Sequence, residues 1–379
     1  MKRKKYVFIS NIAAPYQVKF CYALQEYFDA EFWFYEYIDE TRPEWWKIPL
    51  GDKCKIMKLS GRLPKLGYFS FGMLLDLIRF KPDIVVLGGF MKWHWLVLKL
   101  VKMFKKKVKV VVMTEPIRYV SHDDEESNEL VNKNNSSKKL IVGNKLFKSV
   151  DLYLGMSEAA KDQLVQEFEF PERKVDIGRY PQDIDEYFEH PLRKKKVGEK
   201  IRLLFANRLV ERYNPIFVLE VFHKVQIKYP NIELYMNSDG NLKSKCIEFI
   251  KQNRLNDVHF LDKIDSWNNM HLVYKKSDIL ILPALYSNGN MTIIESMASG
   301  MGLVLSNRIN DIEQLSKDDE NMFICDLNID AFFRSLEKYI QNPEILISHG
   351  KLNRKLIESE KNASTAKRYF DLFQEHGIL

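Results

Sequence analysis

Short apolar runs of strand type alternate along the chain with helix-length amphipathic stretches, the pattern of βα units on a parallel sheet. In the first half the runs at 6–10, 31–35, 84–87, 108–113 and 152–155 read as strands. The second half keeps the rhythm more regularly, with strands at 202–206, 232–236, 258–261, 279–282, 303–306 and 323–325 and helices beginning near Pro215, Leu242, Trp267, Met291 and Asp330. Two doubly wound α/β domains are therefore predicted, 1–185 and 200–362. The join falls in 180–200, where Pro181, Pro191 and the basic run Arg193 to Lys196 interrupt both periodicities. The stretch 121–139, acidic and then rich in Asn, Ser and Lys, reads as a surface insertion, and no solenoid period repeats.

Composition narrows the class. With 46% apolar and 29% charged residues over 379 positions, the chain has material for two cores. The most apolar segment, 93–104, is broken by Lys99 and Lys102, so no membrane span is predicted. Lys2 to Lys5 precede an apolar run only four residues long, which reads as a first strand rather than a signal peptide. Cys21, Cys54, Cys246 and Cys325 are widely spaced, which fits neither a disulfide framework nor a zinc site and suggests a reducing cytoplasm. Residues 1–150 carry 27 Lys and Arg against 16 Asp and Glu, and the remainder 31 against 35. The basic character of the first part points to an anionic surface or partner there.

Open parallel sheets bind ligands at the carboxyl ends of their strands. The loops after the first strand (Asn11 to Tyr16) and after 202–206 (Asn207 to Val210) contain no glycine, which disfavours dinucleotide redox chemistry, and a P-loop is absent. The informative segment is 283–300. There a strand runs through Ser287, Asn288, Gly289 and Asn290 into a helix opening near Met291 and Thr292, leaving backbone N–H groups to form an anion pocket. Glu295, about one turn in, is placed to accept from a sugar or ribose hydroxyl. The same residues also fit a plain helix cap with an acidic first turn.

Glu295 to Gly300 resembles the second glutamate and small-residue helix of the retaining glycosyltransferases with the GT-B fold, glycosyltransferase family 4-like. Arg208 to Glu211 with Asn214 and Pro215, and Asp278 to Pro283, resemble two further motifs of that family. Asn11 to Tyr16 and Arg42 to Trp46 resemble members that build bacterial surface polysaccharides, and 364–373 resembles the final helix. The resemblance covers nearly the whole chain. It implies two Rossmann-like domains facing across a cleft, with a last helix at 363–379 packing back on the first. Two departures stand out. The family's first acidic residue falls on Ser287 and its diphosphate-binding lysine on Tyr213, with Arg212 beside it as a substitute or as a solvated loop residue.

What the resemblance implies is transfer from a UDP- or GDP-sugar to a glycan or lipid-linked acceptor with retention, without metal or cofactor and without nucleic acid. Arg208, Arg212, Tyr213 and the segment 287–292 would hold the donor, with Glu295 on its ribose. Fixed positive charge and N–H dipoles at the leaving diphosphate would lower the barrier. In the first domain, Asn11, Ala14, Tyr16 and Glu115 are the acceptor-side candidates; Glu115 follows a strand end, and His122 is a weaker one. Asp183-Ile184-Asp185 has the spacing of a metal motif but reads as solvent-facing. The alternative is a non-catalytic subunit that binds nucleotide-sugars; an epimerase or phosphorylase of the same fold lacks its marks here. Lys99, Lys102 and Lys106 at helical spacing, with Lys105, Lys107 and Lys109 at the helix end, suggest peripheral docking on an anionic membrane from the cytoplasmic side.

Overall fold

The computed structural model describes residues 3–38, 42–57, 61–63, 67–91, 93–104, 107–117, 145–261, 264–287 and 291–379. These fall into two compact units, one holding the chain up to 183 together with 361–379, the other holding 184–360.

The first unit is built on strands β1 (Lys4–Ile12), β2 (Phe28–Glu36), β3 (Cys54–Ile56), β6 (Ile84–Gly88), β7 (Lys109–Thr114), β8 (Leu152–Gly155) and β9 (Val175–Ile177), with β4 (Gly61–Leu63) and β5 (Gly67–Phe69) forming a separate hairpin. The seven lie in the order β3-β2-β1-β6-β7-β8-β9, every pair parallel. Helices α1 (Pro15–Ala23), α2 (Phe71–Phe80) and α3 (His94–Lys102) belong to this unit. Proline opens α1, where its missing N–H costs nothing, and Ser70 caps α2 by accepting from the Met73 amide at 3.1 Å. The basic stretch near 100 is shorter as a helix than its spacing predicts. It ends at Lys102, and Lys109 opens β7, where it pairs with Asp151 at 3.5 Å; Lys105 and Lys106 lie outside the described residues.

The second unit has six parallel strands, β10 (Ile201–Phe205), β11 (Ile232–Asn237), β12 (Val258–Leu261), β13 (Ile279–Leu282), β14 (Gly302–Ser306) and β15 (Phe323–Cys325), in the order β12-β11-β10-β13-β14-β15. Its helices include α4 (Pro215–Lys228), α5 (Lys243–Gln252), α6 (Met270–Lys276), α7 (Met291–Ala298), α8 (Ile329–Gln341) and α9 (Ile345–Ile357). The last helix, α10 (Asn362–Glu375), returns to the first unit and stacks its aromatic face there: Phe373 lies 6.2 Å from Tyr6, Tyr369 5.2 Å from Phe20 and Phe370 5.0 Å from Tyr27.

The basic run in 180–200 is only partly a solvated join. Arg193 is buried and donates to the carbonyls of Ser277 (2.9 Å), Tyr274 and Ser299 and to the Ser299 hydroxyl (2.8 Å). Ser299 follows α7, whose chain reverses at Gly300 (φ +68°) with Gly300 and Met301 amides donating to Met297 and Ser296. Arg354 of α9 adds a bond to the Ala298 carbonyl at 2.9 Å, so two guanidinium groups hold the carboxyl end of α7. Asp183 is also not solvent-facing as read from the sequence; it pairs with Lys19 at 2.8 Å. Among the described residues no helix is long and apolar enough to cross a membrane.

Candidate functional site

In the second unit the loops after β10, β11 and β13 converge. Arg208 Nε donates to Asp239 at 2.7 Å, while the Leu209 amide donates to the Asp239 carbonyl at 2.7 Å. Gly240 makes that approach possible. Its φ is +139°, and a Cβ there would lie 2.3 Å from the Leu209 carbonyl oxygen, so any side chain would push the two loops apart.

Arg212 and Tyr213 share a single turn, Glu211–Tyr213. The Arg212 guanidinium lies 4.4 Å from the Tyr213 ring centroid and donates to its hydroxyl, and it is 6.0 Å from the Tyr286 ring. The Arg212 carbonyl accepts from the Leu285 amide at 2.8 Å, and Thr292 Oγ1 donates to Asn207 Oδ1 at 3.2 Å. Thus 207–213 and 285–292, about eighty residues apart in sequence, are tied together at neighbouring strand ends. Ser287 is buried and its carbonyl accepts from the Asn310 amide at 3.1 Å; Met291 opens α7, partly buried. Asn288, Gly289 and Asn290 lie outside the described residues.

Glu295 is the fifth residue of α7 and only 6% exposed, and it accepts a hydrogen bond from the buried Tyr274 hydroxyl. Burial first, and the Glu295 charge second, push the Tyr274 phenol well above its ordinary range, so it remains a donor at any working pH. Nothing in the sequence marks Tyr274, because a tyrosine on an amphipathic helix reads as core.

In the first unit, Asn11, Ala14, Tyr16 and Glu115 come together in one cavity of about 380 Å³, which Arg42 and Tyr180 also line. The Tyr180 hydroxyl donates to the Glu115 carboxylate, and the Tyr16 and Tyr180 rings meet edge-on at 6.4 Å. Burial raises the Tyr16 phenol, the Glu115 charge raises it further, and the Arg42 charge opposes. Sequence reasoning missed Tyr180, which lies sixty-five positions from Glu115. His122 lies outside the described residues. Glu115 belongs to the first unit, Arg208 and Glu295 to the second. Among the described residues the one group with metal-like proximity is Glu233, Asp257 and His259, and Glu233 is already held by Lys200 at 2.6 Å and Arg202 at 3.2 Å.

Residues 188–363, nearly the whole second unit, match the family described as glycosyl transferases group 1. The chain therefore carries a group 1 glycosyltransferase domain. It is 27% identical over 144 residues to an uncharacterized glycosyltransferase of Haemophilus influenzae, covering 38% of this chain and 40% of that protein. It is 22% identical over 275 residues, 71% of each chain, to the Campylobacter jejuni N-acetylgalactosamine-N,N'-diacetylbacillosaminyl-diphospho-undecaprenol 4-alpha-N-acetylgalactosaminyltransferase. In fold it is similar to Anabaena HepE, solved in complex with UDP-glucose, with a TM-score of 0.67 at 13% identity over 98% of this chain and 99% of that one. The chain's two parallel-sheet α/β units share the GT-B fold with this structure.

Proposed function

We propose that this chain, through its group 1 domain, transfers a sugar from a UDP- or GDP-sugar to a glycan or lipid-linked acceptor with retention and without a metal. The tie between 207–213 and 285–292 at the ends of β10 and β13 supports this reading, because it holds the loop that carries Arg208 and Arg212 beside the segment that leads into α7. A nucleotide-sugar's diphosphate is the ligand that cations and helix amides at one point suit. As the sugar–phosphate bond breaks, the growing negative charge meets groups already in place, so little reorganisation is needed. On the retaining path the departing phosphate oxygen takes the acceptor's proton while the new bond forms on the face just vacated. Glu295 accepts from a donor hydroxyl, and Asn11, Tyr16 and Glu115 hold the acceptor. The diphospho-undecaprenol in the Campylobacter relative's name supports a lipid-linked acceptor.

Such an acceptor suits an enzyme that approaches a membrane from the cytoplasmic side. On α2 the apolar Phe71, Leu75 and Ile78 are exposed, on α3 Leu96, and Met103 just beyond it is 79% exposed, beside Lys99 and Lys102. Peripheral contact with anionic lipid would cover them.

Ser287 and Tyr213, standing where the resembled family has an acid and a lysine, favour a second reading, a subunit that binds nucleotide-sugars without turnover. Incubation with UDP- and GDP-sugars separates the two. The transferase shows thermal stabilisation and nucleotide release, the binding subunit only stabilisation, and neither effect with any nucleotide-sugar refutes both.

A further inference from the structure

We propose that Arg42 makes the first unit's cavity an oxyanion subsite, so that the molecule bound there is a sugar carrying a phosphate or carboxylate beside its hydroxyls. The inference rests on reading this cavity as the acceptor site and names the chemistry of that acceptor.

Two buried polar atoms on cavity-lining residues have no hydrogen-bond partner among the described residues: Arg42 Nε, a donor, and Gln17 Oε1, an acceptor. A buried polar atom left unpaired is costly, so an unmatched donor and acceptor on residues that line one cavity favour a ligand that supplies the opposite of each. Arg42 is held in place from one side. Its guanidinium lies 4.6 Å from the Trp46 ring centroid, and stacking of this kind leaves the N–H edge available for in-plane bonds to an oxyanion.

Among the described residues that line the cavity the other charge is Glu115, which accepts from Tyr180. A carboxylate and a guanidinium on one cavity make it dipolar, and ligands with only one kind of group suit it poorly. A neutral sugar satisfies Glu115 and Gln17 but leaves the guanidinium without an anion. A bare anion meets Arg42 and leaves Glu115 facing it. A hydroxylated ring with one anionic substituent satisfies all three, with hydroxyls donating to Glu115 and Gln17 and the anion accepting from Arg42. Asn11 and Tyr16, which also line the cavity, add neutral partners for the ring.

Calorimetric titration of the full chain at constant ionic strength with glucose 1-phosphate, glucuronate and methyl glucoside tests this. The expected result is that one or both anions bind at least tenfold tighter than methyl glucoside, the better of the two identifying phosphate or carboxylate as the group read. Arg42→Ala should erase that preference and Arg42→Lys keep part of it. No preference in the parent protein, or a preference that survives Arg42→Ala, overturns the subsite. The reading beneath it fails separately: if Glu115→Gln and Tyr16→Phe leave all three affinities unchanged while Arg42→Ala still removes the anion preference, the cavity binds anions but is not the acceptor site.

Discussion

Tyr274→Phe isolates a single hydroxyl at the proposed donor site. Tyr274 is fully buried, its ring meets Tyr187 edge-on at 5.2 Å, and Glu295 is 6% exposed, so phenylalanine keeps the packing and removes only the O–H that Glu295 accepts. A hydrogen bond to a charged group contributes about 1.5–3 kcal/mol net, and the variant removes this donor from a site nearly closed to water. At about 1.4 kcal/mol per factor of ten, that is roughly a 10- to 150-fold effect to be divided between folding and donor affinity. Urea denaturation measures the first share and nucleotide-sugar titration the second. Because Tyr274 lies behind Glu295, the acceptor's KM should not move. If stability falls by less than about 0.5 kcal/mol and donor affinity is unchanged, Tyr274 does not hold Glu295 and the placement of that carboxylate is wrong.

The remaining predictions concern charge. His94 is fully buried and its pKa is lowered from 6.5 to about 4 by burial, so it is neutral in the fold; the stability this represents is complete above about pH 6.5 and is lost as pH falls toward 4. His94→Gln should flatten the stability–pH curve in that window by up to about 1.4 kcal/mol per pH unit, read as the parent-minus-variant difference in denaturation midpoints; parallel curves refute it. If Arg212 replaces the absent lysine at the diphosphate, Arg212→Ala should depress turnover at least tenfold while Tyr213→Phe does little; a marked gain in Tyr213→Lys would instead favour the binding-subunit reading. Sedimentation with liposomes should rise with anionic lipid, weaken with salt and fall when Lys99 and Lys102 become Glu, and equal recovery with neutral and anionic vesicles at low salt would exclude the membrane contact.

The parallel sheets were legible because strands covered on both faces must be apolar throughout. β13 and β14 are buried at every residue, and Ile279–Leu282 and 302–305 appear in the sequence as apolar runs. At the edges of the first sheet β3 and β9 are three residues long and bury one residue each, so no apolar run marks them. Helix α9 escaped for a different reason. Gly350 stands in its interior, where glycine has low helix propensity, and a Cβ there would lie 2.6 Å from the Gly300 carbonyl oxygen, so glycine is what lets this helix pack against the turn after α7. The site divides in the same way. Arg208, Glu295 and Glu115 stand at strand ends or in motif-like segments and could be named from local pattern. Tyr274, Tyr180 and the Arg193 clamp could not, because each acts on residues far along the chain through contacts that exist only once the sheets have formed.

The return of α10 to the first unit bears on how this chain is made. A ribosome delivers residues 3–183 long before 362–375, so Tyr6, Phe20 and Tyr27 spend the synthesis of the entire second unit without the aromatic rings that later cover them. Among the described residues the second unit is the single stretch 184–360, which can close as it emerges, whereas the first waits for its last piece. A nascent chain stalled before Lys361 would therefore expose an apolar patch on an otherwise formed sheet, a natural target for chaperones.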